Sequence, residues 1–145
     1  MAYTIQALLG KRNVLSSIPI DNTNVISLPQ GFGMIPLTDQ IRKIYDIAML
    51  PLTDEGELPA QVVKWSIQLS NQGCIAYIEA ELFGGTGLQV GVVWCNGELS
   101  GGPWVQERNA INLALEAIGV DKGDHRDRFA ALDLGRHRFT GDWVK

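Results

Sequence analysis

The sequence predicts an α+β fold, in which helices pack on a largely antiparallel sheet. Within residues 3–9 an apolar side chain recurs at every second position, as in a strand. Residues 74–100 contain three strand-like runs separated by turns with glycine, the pattern of a β-meander. Apolar side chains at helical spacing occupy residues 38–49 and 111–118, on either side of the meander. The length of 145 residues is that of one domain with its own core, so we predict a single domain, 1–145.

The first third of the chain is predicted to add a short helix and two more strands. Residues 11–18 form the predicted helix, directly after the first strand. The predicted strands are 24–28 and 32–37, joined by Pro29-Gln30-Gly31. This tripeptide favours a turn because proline presets φ and glycine accepts a positive φ.

Two helices are predicted between these strands and the meander. Thr38 is the predicted N-cap of a helix that runs to about residue 49, and Pro51 ends it. The acidic segment 52–58 is predicted to be a surface loop. Residues 59–71 show strand-like alternation, but a proline at the start and a glycine past the end favour a helix, which we predict.

The meander is the clearest part of the pattern. The loop Gly84-Gly85-Thr86-Gly87 separates its first two strands, and Asn96-Gly97 is the preferred dipeptide of a type I′ hairpin turn. Gly101-Gly102-Pro103 is predicted to break the sheet. The predicted strands are 74–83, 88–95 and 98–100.

The C-terminal region is predicted to be helical. Residues 111–118 carry one apolar face. The segment 124–127 resembles an N-terminal capping arrangement for a short helix, whose Phe129 and Leu132 face inward and which Gly135 ends.

Cys74 and Cys95 each lie in an apolar strand-like run and are predicted to be buried free thiols, although adjacent strands would allow a disulfide. Neither has a Cys or His partner at zinc-ligand spacing, so we expect no metal. The N-terminus lacks a basic region followed by a long apolar run, and no apolar stretch is long enough to span a membrane. We therefore expect a cytoplasmic protein without a membrane partner.

Charge limits the class of partner. The net charge is −4, the opposite of the balance that nucleic-acid binders carry, so no nucleic-acid partner is expected. An acidic surface does suit a basic protein partner. The sequence does not indicate the oligomeric state, and no cofactor fingerprint is present, so we expect no cofactor.

Glu79 and Glu81 are the first candidate site residues, because the period of a strand puts both on one face. If Phe83 pairs with Leu88, the two glutamates lie opposite two valines of the next strand. Buried charges are costly unless they are paired. This face is therefore expected either to be open to water or to receive cationic partners.

The region 121–145 contains both histidines and half of the cationic side chains of the chain. We therefore expect Arg136, His137 or Arg138 to fold back onto one of the two glutamates, against the alternative of a solvent-exposed sheet face. Such a cluster would only lock the C-terminus to the sheet, or it would form the polar site of a small enzyme. The candidate polar site comprises Glu79, Glu81, Gln89, Arg136, His137 and Arg138; none is assigned as a catalytic residue.

Gly84, Gly85, Thr86 and Gly87 are the candidate loop site. Glycine-rich loops can bind phosphates through converging amide groups. A phosphate loop of the usual kind is followed by a helix and often carries a lysine, whereas here a strand follows. The glycines are therefore more simply interpreted as a tight hairpin.

Two segments carry a resemblance. Phe83-Gly84-Gly85-Thr86-Gly87-Leu88-Gln89, with Trp94 and Gly97, and Gly135-Arg136-His137-Arg138, with Asp142-Trp143, resemble a group of small uncharacterised bacterial proteins of about this length. The resemblance implies a bacterial cytoplasmic protein and assigns no catalytic residue. In size and acidity the chain is also similar to immunity proteins that neutralise toxins. We therefore expect a non-enzymatic binding protein for a protein partner, and the more specific expectation is an immunity-type inhibitor of a bacterial toxin. The alternative is the small enzyme.

Overall fold

The computed structural model describes residues 2–145 and contains one six-stranded sheet with helices on both faces. The strand order is β2-β3-β1-β4-β5-β6, and each neighbouring pair is antiparallel. The α+β fold with a meander in the second half is therefore confirmed. The strands are β1 (Ala2–Lys11), β2 (Ile26–Ser27), β3 (Phe32–Pro36), β4 (Ile75–Phe83), β5 (Thr86–Cys95) and β6 (Glu98–Gln106).

The helices follow the predicted order, and the ambiguous segment 59–71 is helical. Thr38 caps its helix as predicted, since its hydroxyl accepts a hydrogen bond from the Ile41 amide at 3.3 Å. That helix ends at Tyr45, before residue 49, because Asp46 adopts a left-handed conformation with φ 55°. The α-helices are α1 (Arg12–Leu15), α2 (Asp39–Tyr45), α3 (Ala60–Leu69), α4 (Ala110–Ala117) and α5 (Arg128–Ala131), and the 3₁₀ helices are Pro29–Gly31, Leu134–Arg136 and Thr140–Val144.

The sheet separates two apolar cores. On what we call the α3 face, Leu8 and Tyr77 pack with the helices α1 to α3. On the α4 face, Ile5 and Ile78 pack with α4 and α5. Because β1 and β4 are central strands with both faces covered, their sequences are apolar at most positions.

The hairpin between β4 and β5 is tighter than the predicted one. Phe83 pairs with Thr86, not with Leu88, because Gly84 and Gly85 alone form the turn, with φ of 58° and 85°. Glu81 is consequently opposite Leu88, and Glu79 is opposite Val90. The observed register differs from the predicted one by two residues, so both glutamates keep their predicted face.

The predicted break at Gly101-Gly102-Pro103 is wrong, since β6 continues to Gln106. The pairing with β5 shifts register around Val93, which accommodates the irregular segment. Pro103 has no amide to donate, and it is tolerated because β6 is an edge strand of the sheet.

The prediction of two free thiols is also wrong, because Cys74 and Cys95 form a disulfide. Ile75 pairs with Trp94, so the neighbouring cysteines meet across the same two strands. Their Cα atoms are 4.3 Å apart. Adjacent strands are the condition under which the sequence allows a disulfide, and β4 and β5 are adjacent.

Candidate functional site

The C-terminal segment, residues 136–145, docks on β1 and forms one wall of the candidate site. β3 pairs with β1 only from Ala7 onward, so the edge of β1 before that residue is available to another segment. There the Thr4 amide donates to the Arg138 carbonyl at 2.7 Å, and the Gln6 amide donates to the Thr140 hydroxyl at 3.1 Å. Trp143 is buried in the core of the α4 face and anchors the segment.

A cavity of about 550 Å³ lies on the α3 face, between α2 and this C-terminal segment. Its floor is formed by β1 and β4, and its walls by α2, the loop after α2 and the C-terminal segment. A volume in this range is typical of sites for small organic ligands. The lining residues are Thr4, Gln6, Glu81 and Phe83 in the floor, Thr38, Asp39, Gln40, Arg42, Met49 and Leu50 on one side, and Phe139, Thr140, Gly141 and Val144 on the other.

Exposed apolar side chains concentrate around this cavity. Eight large apolar side chains within residues 2–145 are exposed, and four of them line it: Met49, Phe83, Phe139 and Val144. Their exposed fractions range from 48% to 60%. Single exposed apolar residues are ordinary, whereas a cluster around a concave surface is characteristic of a binding site.

Two charged side chains of α2 in the cavity neutralise one another. The guanidinium of Arg42 donates to the carboxylate of Asp39 and, at 2.6 Å, to the Leu37 carbonyl. The Arg42 side chain is only 12% exposed, so these two contacts stabilise its charge in place of water.

Glu81 differs from this pair. It lies in the cavity floor, directly opposite Thr4 of β1, and is partly buried. Within residues 2–145, no hydrogen bond or ion pair engages its carboxylate. It is therefore a negative charge of the cavity that the protein itself leaves available.

Glu79 is fully buried beneath the cavity and is surrounded by neutral donors. Its carboxylate accepts hydrogen bonds from the Thr53 amide and hydroxyl, each at 2.9 Å, and from the Leu52 amide at 3.2 Å. The Tyr77 hydroxyl donates to it at 2.5 Å. Both expectations for this residue, exposure to water or contact with a cationic side chain, are wrong, because a loop supplies the donors.

The same network reaches the cavity floor through Gln6. The Gln6 amide group donates to the Tyr77 hydroxyl and to the Ala48 carbonyl, both at 3.0 Å, and its oxygen accepts from the Leu50 amide at 3.2 Å. Burial and the charge of Glu79 raise the pKa of Tyr77 well above its usual value, so its hydroxyl stays protonated and continues to donate. The network thus fixes the loop that carries Met49 into the cavity wall.

The predicted cationic residues lie elsewhere. Arg136 pairs with Asp133 at 2.9 Å and stacks over Trp143 at 5.3 Å. His137 contacts the same indole edge to face at 4.8 Å. Neither is joined by a hydrogen bond or ion pair to Glu79 or Glu81 in the described part of the chain, so the prediction is wrong for Arg136 and for His137. The physical reason is that Trp143 inserts into the core and keeps both side chains on itself.

Gln89 is separated from the two glutamates by the sheet. It pairs with Ala80, on the α4 face, and its side-chain oxygen accepts from the Ile111 amide at 3.2 Å, near the start of α4. The six residues of the candidate polar site are therefore not brought together. Of these six, Glu81 lines the cavity.

The candidate loop site lies at the exposed tip of the β4–β5 hairpin. The Thr86 hydroxyl donates to the Phe83 carbonyl at 2.9 Å, which closes the turn on itself. A Cβ atom on Gly87 would lie 2.0 Å from the Glu81 carbonyl oxygen, so this glycine is required by close backbone packing. These contacts account for the glycines as elements of a hairpin.

Several cavity residues were not identified from the sequence. Gln6 had one usable signal, since it is a polar side chain in an otherwise apolar strand. Arg42, Met49, Phe139 and Thr140 had none, because they meet only through the docking of distant segments. Gln6 and Thr140, which are 134 positions apart, illustrate this separation.

Comparisons with protein-family models, curated proteins and solved structures find no match to this chain. None of the helices within residues 2–145 is long and apolar enough to cross a membrane. The same residues contain no cluster of three or more His, Cys, Asp or Glu side chains placed to hold a metal ion.

Proposed function

We propose that the protein is a non-enzymatic binding protein that recognises a small organic ligand in the cavity between α2 and the C-terminal segment. One observation carries the proposal: half of the exposed large apolar side chains of residues 2–145 surround this single cavity. Leaving them in water is unfavourable, and a ligand that covers them gains about 25 cal/mol for each Å² of apolar surface removed from water.

The floor of the cavity supports binding more than catalysis. Gln6 has no ionisable group, and Glu79 lies beneath the cavity and is held by contacts within the protein. Glu81 is an available carboxylate, but the described lining residues include no histidine that could act with it. His137, the histidine of the candidate polar site, packs against Trp143 and does not line the cavity. The small enzyme and the more specific expectation of an immunity-type inhibitor stay predictions.

The proposal is tested by mapping fragment binding with ¹H–¹⁵N NMR spectra. A library of small aromatic and aliphatic fragments should shift the amide signals of Met49, Phe139, Thr140 and Val144 together. Phe83→Ala should raise the Kd of a cavity-binding fragment about tenfold, because it removes an apolar contact surface of the rim.

Leu99→Ala is the matched control. Leu99 is an exposed apolar residue on β6 that does not line the cavity, so its truncation should leave fragment binding unchanged. Fragments that bind only outside the cavity, or a library that shifts no amide signal, would contradict the proposal.

A further inference from the structure

We infer that the ligand of this cavity is an organic cation, an apolar body that carries a primary ammonium group bound by Glu81. The inference rests on the proposed function and specifies the chemistry of the ligand.

The state of Glu81 is the main observation. Its carboxylate is partly buried in the cavity floor and, within residues 2–145, has no hydrogen-bond or ion-pair partner. A carboxylate that has lost part of its hydration gains most from a donor that is itself charged. An ammonium group supplies three such donors, and Thr4, directly opposite Glu81, places a hydroxyl beside the same position.

The other charges of the cavity do not oppose a cation, because Asp39 and Arg42 neutralise one another. The lining contains two carboxylates and one guanidinium, so it is negative overall. An anionic ligand would have to displace Asp39 or the Leu37 carbonyl from Arg42, whose side chain is largely buried. A cationic ligand displaces neither contact and finds Glu81 available.

The exposed apolar side chains around the cavity indicate that the rest of the ligand is apolar. Phe83 and Phe139 present aromatic surface next to Glu81, and Met49 and Val144 complete the apolar wall. Aromatic faces attract ammonium groups through cation–π interactions, and they also pack against apolar surface. The cavity volume of about 550 Å³ accommodates a whole small molecule, so we assign a free small molecule as the ligand.

Three probes of similar shape test the assignment: 2-phenylethylamine, 2-phenylethanol and 3-phenylpropionate. Each is titrated into the ¹⁵N-labelled protein at neutral pH, and Kd is obtained from the amide signals of the cavity. The amine should bind about tenfold more tightly than the alcohol, and the carboxylate most weakly. Glu81→Gln should bring the amine to within about twofold of the alcohol.

Glu98→Gln is the matched control. It removes one negative charge from an exposed position on β6 outside the cavity, so the preference for the amine should persist. A preserved ¹H–¹⁵N spectrum of each variant shows that it is folded.

The outcomes separate the two proposals. If fragments or the alcohol bind in the cavity but the amine binds no more tightly, or if Glu81→Gln leaves its advantage intact, the inference is overturned and the proposed function stands. If Glu98→Gln abolishes the preference as fully as Glu81→Gln, general charge explains it and the assignment of Glu81 is overturned. If neither the probes nor the fragment library shifts cavity signals, both proposals fail.

Discussion

At the scale of single residues, Glu79 shows how a fully buried carboxylate is accommodated without a cationic partner. Two backbone amides and two hydroxyl groups donate to it, all within 3.2 Å. Hydrogen bonds to a charged group are stronger than those between neutral groups, and here they replace the water that burial removes. The sequence around Glu79 gives no hint of this, because its donors at Leu52 and Thr53 come from a loop that is distant in the chain.

Tyr77→Phe tests this network. The substitution keeps the ring but leaves Glu79 and the Gln6 amide group each without one buried partner. We expect the free energy of unfolding to fall by about 1–3 kcal/mol, measured by chemical denaturation.

Tyr45→Phe is the control for that variant, because the Tyr45 hydroxyl donates to the Asp21 carbonyl at an exposed position. Its loss should cost less than about 1 kcal/mol. Equal losses for the two variants would show that the buried network contributes nothing beyond an ordinary hydrogen bond.

At the scale of elements, the β4–β5 hairpin and the C-terminal segment decide where the site is formed. A two-residue turn fixes the register that brings Cys74 opposite Cys95 and Glu81 opposite Leu88. Docking of the C-terminal segment on the free edge of β1 then closes the second wall of the cavity. The locking of the C-terminus is therefore achieved by Trp143 and by backbone pairing, not by an arginine contact with Glu79.

The disulfide between β4 and β5 is expected to stabilise the folded protein. It links positions 21 residues apart, and the chain-entropy model gives up to about 3 kcal/mol of stabilisation for such a loop. The double variant Cys74→Ala, Cys95→Ala should lose stability by up to that amount, measured by denaturation without reductant. Reductant should destabilise the wild type similarly and leave the variant unchanged.

A thiol count provides the direct check. The unreduced protein, unfolded in denaturant, should give no reaction with a thiol reagent. Two reactive thiols per chain would show that the cysteines are free, which is the prediction from the sequence.

At the scale of the whole molecule, one buried and one partly buried tyrosine make stability depend on pH in the alkaline range. Burial raises the pKa of Tyr3 and of Tyr77 above the value of about 10 that tyrosine has in an unfolded chain. Above that pH the unfolded state releases these protons before the folded state does. The unfolded state then binds fewer protons, so stability is fully present below about pH 10 and decreases above it.

The expected slope is about 1.4 kcal/mol per pH unit for each of the two tyrosines once the pH exceeds about 10. The free energy of unfolding from denaturant titrations at several alkaline pH values measures it. Tyr3→Phe and Tyr77→Phe should each remove about half of the slope. Stability that does not change with pH in this range would contradict the prediction.

Local chemistry made much of the fold predictable. Asn96-Gly97 forms the expected turn, with φ of 55° and 79°, and Thr38 caps its helix. Trp143 is buried in the core and anchors the C-terminal segment. Each of these features depends on residues close in the sequence or on the general preference of a large apolar side chain for the core.

The site was less predictable, because it depends on contacts between distant segments. Gln6 and Glu79 lie on adjacent strands that are far apart in the chain, and Thr53 approaches from a loop. An alternating pattern shows which face a side chain occupies, but not which loop covers that face. For this reason Glu81 was identified as a candidate, while Arg42, Phe139 and the cavity itself were not.

The sequence by itself determined the α+β class, the helices, the meander and the face on which Glu79 and Glu81 lie, because periodicity, caps and turn residues act over a few positions. Only the tertiary structure decided the hairpin register, the disulfide, the neutral donors of Glu79 and the cavity. These depend on which segments become neighbours when two apolar faces of one sheet are covered at the same time. The C-terminal segment, rich in cationic side chains, therefore forms a cavity wall through Phe139 and Thr140, and the charge available to a ligand there is that of Glu81.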